Sequence, residues 1–198
     1  METAFRSEEL FTQEEFRQWL DSVPASDVNR YELVNGRIVM SPPAKFRHGF
    51  VEGSLHRLVG SFVEENGLGI TLGSSAGFDL PTGDTLEPDF SFISKERWAA
   101  GPRPKNEDEG FTRIVPDLAV EIVSPSSVRR DRIEKRLIYA RCGVREYWVV
   151  DPARREVTLF TSAGDRFDEP RVFTTGEIPS RVLPGLRVRV DELLADPG

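Results

Sequence analysis

Cysteine is nearly absent from this sequence: Cys142 is the only one among 198 residues. An internal disulfide framework and a cysteine-based zinc site are thereby excluded. Long apolar runs are missing too. The most hydrophobic stretches, such as LAVEIV and EYWVV, fall far below the roughly 20 residues that a membrane span requires. The first residues, METAFRSEELF, contain no apolar h-region, so no secretory signal peptide is expected. There is no low-complexity tract and no repeat at solenoid spacing. These absences together fit a reducing cytoplasm. Positive charge is also scarce: 26 Lys and Arg against 33 Asp and Glu give a net charge of −7. That balance argues against a protein that coats nucleic acid non-specifically, because phosphate binding is driven by cationic side chains. Yet seven basic residues gather between positions 129 and 145: Arg129, Arg130, Arg132, Lys135, Arg136, Arg141 and Arg145. They read either as a solvated helix face or as a basic face gathered on an otherwise acidic protein.

The chain's length suits one domain. Thr12 followed by Glu15 predicts a capping box and a short helix ended by Pro24. YELVNGRIVM alternates around Asn35-Gly36, a strong hairpin signal. Residues 45–65 carry apolar residues at helical spacing, and Gly67 and Gly69 close that helix. Strands are predicted at about 70–73, 77–80 and 89–94. Residues 99–112 read as an exposed loop. Downstream, DLAVEIV reads as a buried strand, 128–142 as a helix stopped at Gly143, and EYWVVD as a second strand. That order resembles a βαβ unit, so part of the sheet is expected to be parallel. Strands near 156–160, 171–174 and 186–190 and a short helix, VDELLAD, follow. The fold class is therefore mixed α and β around a central sheet flanked by helices.

Two segments place carboxylates in otherwise apolar strands. In EPDFSFI, Asp89 and Ser91 share one face and Phe90 and Phe92 the other. In PDLAVEIV, Asp117, Ala119, Glu121 and Val123 share one face. An unpaired carboxylate at Glu121 would cost several kcal/mol, so a cation, a basic partner or a solvent-filled cleft must compensate. A structural salt bridge is one solution. A hard-oxygen site for Mg²⁺ or Mn²⁺ formed with Asp89 is another, provided the two strands are neighbours. Asp117 lies roughly 13 Å from Glu121 along the strand, too far to share an ion directly. Lys135 follows on the next helix, offset from an apolar stripe read as Ile133, Leu137 and Ala140 with Ile138 beside them. Its spacing fits either a surface ion pair with Asp131 or a cation that polarises a scissile phosphate. His48, Glu52 and His56 at i, i+4 and i+8 have ligand-like spacing, but the two histidines stand about 12 Å apart, too far for one ion.

PDLAVEIVSPSS followed by RRDRIEKRLIYARCGVREYWVVDP resembles the Uma-type family of restriction-endonuclease-like proteins. YELVNGRIVMSPP, RHGFVEGSL and LEPDFSFIS fit the same family in the same order. The resemblance implies a branch of the PD-(D/E)XK nuclease superfamily, with a mixed, mostly four-stranded core sheet over about 30–155 and the 156–198 strands packed on it. It implies that Asp89 and Glu121 bind the metal and that Lys135 assists catalysis. The superfamily lysine would stand two residues after Glu121, where this chain has Val123; in this branch it is moved to the helix. Glu32, His48, Asp117, Asp131 and Ser124 become supporting or substrate-binding residues. The activity implied is phosphodiester hydrolysis, of DNA rather than RNA, with a homodimer as one arrangement and Trp98 or Phe111 marking its interface. The alternative is a catalytically silent nucleic-acid-binding or protein-interaction module on the same fold.

Overall fold

The computed structural model of the chain describes residues 5–102, 110–125 and 127–196. Helix α1, Gln13–Asp21, starts with the expected capping box: the Thr12 side chain accepts from the Glu15 N–H, and the Glu15 carboxylate accepts from the Thr12 N–H. Strands β1 (Arg30–Val34) and β2 (Arg37–Ser41) form the predicted hairpin. Asn35 and Gly36 both have positive φ, 52° and 70°, as a two-residue turn matching the strand twist requires. Helix α2 spans 46–65 and contains a π-helical turn at His56–Gly60.

Strands β3 (Gly69–Gly73), β4 (Phe78–Asp79), β5 (Thr85–Leu86) and β6 (Phe90–Ser94) follow. Helix α3, Lys95–Ala100, occupies the start of the stretch expected to be a loop; residues 103–109 of that stretch lie outside the described residues. Strand β7 is Leu118–Ile122. Helix α4 spans 130–141, its first part, Arg130–Lys135, being a π-helical turn. Strands β8 (Glu146–Asp151), β9 (Glu156–Thr161), β10 (Arg171–Phe173), β11 (Glu177–Ile178) and β12 (Val188–Arg189) lead to helix α5, Val190–Leu193. The two-residue strands β5 and β11 were not expected, being too short to show a period of two.

The main sheet has six strands in the order β10-β9-β8-β7-β6-β3, wider than the four that the family resemblance implied. Only β7 and β8 run parallel, and α4 is their crossover. A second sheet, β2-β1-β5-β4, is antiparallel throughout. Phe90, Phe92, Leu118, Val120 and Ile122 pack with Val51, Leu55 and Val59 of α2 on one face of the main sheet. Ala119, Tyr147 and Val149 pack with Ile138 and Tyr139 of α4, and with Val34 and Leu86 of the second sheet, on the other. Burying each such large side chain contributes about 1.5–3 kcal/mol. Glu121 lies on this second face, enclosed between the two sheets and α4.

Helix α4 corrects one expectation. Ile133 and Leu137 are 49% and 45% exposed, whereas Asp131 and Lys135 are only 2% and 1% exposed. The sheet presents a carboxylate to this helix. Turning the Ile133 stripe inward would strand Glu121 without a partner, at a cost of several kcal/mol. The Asp131–Lys135–Tyr139 stripe faces the sheet instead, and Ile138, Tyr139 and Ala140 supply the apolar contact.

Candidate active site

The β6–β7 register pairs Phe90 with Val120 and Ser91 with Ala119. One further step sets Asp89 opposite Glu121. Asp89 lies just before β6, and its Oδ2 accepts the Ile122 N–H at 2.7 Å, so the carboxylate itself ties the ends of the two strands together. Arg30 of β1 reaches Asp89 Oδ1 at 2.9 Å, and His48 Nε2 from α2 lies 3.1 Å from Oδ2. Arg30 also pairs with Glu87 at 3.3 Å.

Glu121 Oε1 accepts from Lys135 Nζ at 2.8 Å and from the Tyr139 hydroxyl at 2.9 Å. The same ammonium lies 2.7 Å from Glu32 Oε1 and 4.0 Å from Asp131 Oδ1. Glu32 in turn accepts the Glu87 N–H at 2.8 Å, fixing it against the segment that leads to Asp89. Asp131–Lys135 is therefore a buried contact rather than a surface pair. Asp89, Glu121, Lys135, Glu32, His48 and Asp131 converge, and Ser124 Oγ lies 3.3 Å from the hydroxyl of Ser127, which bonds Asp131; Asp117 stands apart from them.

Asp117, at the opposite end of β7, is fully buried between Arg97 at 3.1 Å and Arg145 at 3.0 Å, and it accepts the Ser94 N–H at 2.8 Å. It joins β6, β7 and α3 rather than supporting the cluster. Asp117→Ala is expected to cost about 1–3 kcal/mol, since it leaves the buried Ser94 N–H unsatisfied, while Arg97 and Arg145 keep contact with solvent or with backbone carbonyls. Chemical denaturation with and without Mn²⁺ checks this; the metal response should be unchanged. Ser124 shapes the turn into α4, its carbonyl accepting the Ser127 and Val128 N–H groups at 3.0 and 3.2 Å. Glu52 accepts the Ser74 N–H at 3.2 Å, and the His56 ring packs edge-on against Phe90. The three ligand-spaced residues of α2 thus serve different partners. Phe111 stacks on Phe16, with ring centroids 6.3 Å apart, and Trp98 is partly buried against the core, so neither stands out as an open apolar patch.

Sequence reasoning missed Arg30, Glu87 and Tyr139, and it singled out Arg130 only as one of seven basic residues between positions 129 and 145. A signal existed for two of them. Arg30 shares a strand face with Glu32, and Tyr139 continues the four-residue polar spacing of Asp131 and Lys135. Glu87 carried none, since a charged residue in a turn is ordinary.

Five carboxyl groups (Glu32, Glu87, Asp89, Glu121 and Asp131) face three permanent cations (Arg30, Arg130 and Lys135) and one histidine. Burial pushes Glu121 well above the usual carboxylate range; Lys135 opposes this, while Asp131, Asp89 and Glu32 add repulsion. Burial also raises Asp131 and Glu87. Burial acts upward on Asp89 as well, but the His48 hydrogen bond and charge, then Arg30 and the Ile122 N–H, hold it down at about 2. Burial works against the charged form of Lys135, but Glu121, Glu32 and Asp131 outweigh it and keep the ammonium charged. The cluster is short of positive charge.

Buried carboxylates at the ends of adjacent strands thus gather around one ammonium. The model of the Uma2 family, described as "Putative restriction endonuclease", matches residues 13–191, and the chain belongs to that family. Among solved structures, the chain is similar to "a putative nuclease belonging to DUF820" from Anabaena variabilis, with a TM-score of 0.76 and 20% identity over 93% of this chain and 97% of that one. At that identity the likeness shows the fold. No curated protein matches the chain. No helix among the described residues is long and apolar enough to cross a membrane.

Such a family points to a divalent cation, and the donor set suits one. Among the described residues no three His, Cys, Asp or Glu side chains form a ready metal cage. Mg²⁺, however, keeps several waters and is held by one or two carboxylates. Asp89 takes three donors of the roughly four that a carboxylate accommodates. Glu121 Oε2 has no protein donor among the described residues. Both therefore retain lone pairs for a hard cation.

Proposed function

We propose that the chain is a divalent-metal-dependent endonuclease that hydrolyses phosphodiester bonds of DNA. The observation that carries this reading is the convergence of Glu32, Glu121 and Asp131 on the single ammonium of Lys135, with Asp89 across the strand from Glu121. A buried set short of positive charge is a poor device for stability, since apolar residues of equal volume usually serve better. It is a good device for capturing a small dication. The restriction-endonuclease description of the family favours DNA as the substrate.

In this reading Asp89 and Glu121 hold Mg²⁺ or Mn²⁺. When bound, such a cation supplies Lewis-acid chemistry: it polarises a phosphoryl oxygen and acidifies a water. Arg30 and His48 keep Asp89 ionised and aimed. Tyr139 and Lys135 fix Glu121 through Oε1, which would leave Oε2 to hold the cation. Lys135 holds Glu32 and Glu121 together through its ammonium.

Melting in increasing Mn²⁺ tests the metal site, because a ligand bound only by the folded state raises its stability. A rise in melting temperature is expected. It should grow as pH rises, since burial and the neighbouring carboxylates push the Glu121 carboxyl up and a cation competes with a proton for it. Cleavage of plasmid, single-stranded DNA and RNA in Mg²⁺ and Mn²⁺ then tests the reaction. A flat melting curve at millimolar metal, together with intact substrates, would overturn the proposal.

A further inference from the structure

We propose that Arg130, rather than Lys135, is the cation that grips a non-bridging phosphate oxygen of the substrate. This rests on the nuclease reading and names a substrate contact within it. Lys135 is enclosed. Its side chain is 2% exposed, and its ammonium is bonded to Glu32 and Glu121 with Asp131 at 4.0 Å. Its three N–H groups are directed at carboxylates of the protein. Reaching a phosphate would break two buried ion pairs. Lys135 is thus suited to hold the carboxylates in place.

Arg130 lies about one turn earlier on α4. Its side chain is 15% exposed, and Nε meets Asp131 Oδ1 at 3.4 Å. Among the described residues Nη1 and Nη2 have no protein partner. The guanidinium is therefore anchored by one nitrogen and presents the other two. That pair forms the planar fork that matches two phosphate oxygens. Glu32, Asp131 and Glu121 keep it charged despite its partial burial.

Four other cations near the cluster or close to the same helix are already engaged, while Arg129 and Arg141 are exposed and take part in none of the cluster's ion pairs. Arg30 is bound to Asp89 and Glu87. Arg132 holds Asp151 at 3.2 Å and Glu156 at 2.7 Å. Arg136 lies over the Phe160 ring, 5.4 Å from its centroid, and Arg145 pairs with Asp117. A phosphodiester approaching five carboxyl groups meets strong repulsion. A guanidinium with free donors at the edge of those carboxylates is what offsets it.

The test compares wild type, Arg130→Gln and Arg130→Lys. Binding of a labelled DNA oligonucleotide, duplex and single-stranded, is followed by fluorescence anisotropy in Ca²⁺ across a range of salt, and melting is followed in Mn²⁺. Arg130→Gln should bind about tenfold more weakly, and its salt slope should flatten by about one phosphate contact. Its Mn²⁺-induced rise in melting temperature should persist or grow, because a positive charge beside the carboxylates is gone. Arg130→Lys should keep the salt slope but bind several-fold more weakly than wild type, having lost the fork. Wild-type affinity and salt slope in Arg130→Gln would overturn the inference. So would loss of its Mn²⁺ response, which would assign Arg130 to support of the metal site. Wild type that neither binds nor cleaves DNA would instead bring down the nuclease reading, and this inference with it.

Discussion

Lys135→Met is expected to lower the melting temperature by roughly 10 °C and to abolish cleavage. The substitution keeps the length of the side chain but removes the ammonium that Glu32, Glu121 and Asp131 share. Removing one partner of a buried ion set costs about 3–5 kcal/mol, because the remaining charges stay desolvated and now repel. In a chain of this size each kcal/mol corresponds to roughly 2–4 °C. The loss should shrink at acid pH, where the orphaned carboxyls take up protons. It should also shrink in the double variant Lys135→Met with Glu32→Gln, because one of the unmatched charges is gone. A double-mutant cycle measured by chemical denaturation reads that coupling directly. Additive effects of the two substitutions would show that the ammonium does not hold Glu32, contrary to the 2.7 Å contact.

Glu121→Gln should behave in the opposite way. Without metal it is expected to melt at or above the temperature of the unaltered protein. Burial and three neighbouring carboxylates push the Glu121 carboxyl up, so it is costly to ionise where it stands. The amide still offers Lys135 and Tyr139 an oxygen at the position of Oε1. Yet cleavage should fall by about a thousandfold or more, and the Mn²⁺-dependent rise in melting temperature should vanish, because a neutral amide is a poor ligand for a hard cation. Stability kept while function is lost marks a residue retained for chemistry rather than for folding. Retained cleavage together with a retained Mn²⁺ response would remove Glu121 from the metal site.

The elements that could be read from the sequence are those with a local cause. Thr12 and Glu15 cap a helix within four residues, and Asn35-Gly36 selects its turn without help from distant chain. The parallel pair β7–β8 followed from a strand–helix–strand order whose connection is long enough to carry a helical crossover. What failed was the orientation of α4. Apolar spacing chose Ile133 and Leu137 for the interior, but the partner surface contains Glu121, and electrostatics turned Lys135 inward. No local pattern records the nature of a partner surface. The same reason hid Arg30 and Glu87, whose place beside Asp89 depends on the second sheet meeting the first. Asp117 shows the converse. Its spacing from Glu121 along β7 already argued against a shared ion, and the structure supplies the arginines that occupy it.

The wide spacing of the convergent residues also bears on biosynthesis. Glu32, Asp89, Glu121 and Lys135 come from distant points of the chain, and the second of the two parallel strands is made only after all four. Long-range pairings of this kind form late and slowly. A nascent chain halted on the ribosome before Lys135 emerges holds mutually repelling acids and no ammonium to gather them. Truncated products that lack Lys135 should therefore lack the assembled cluster.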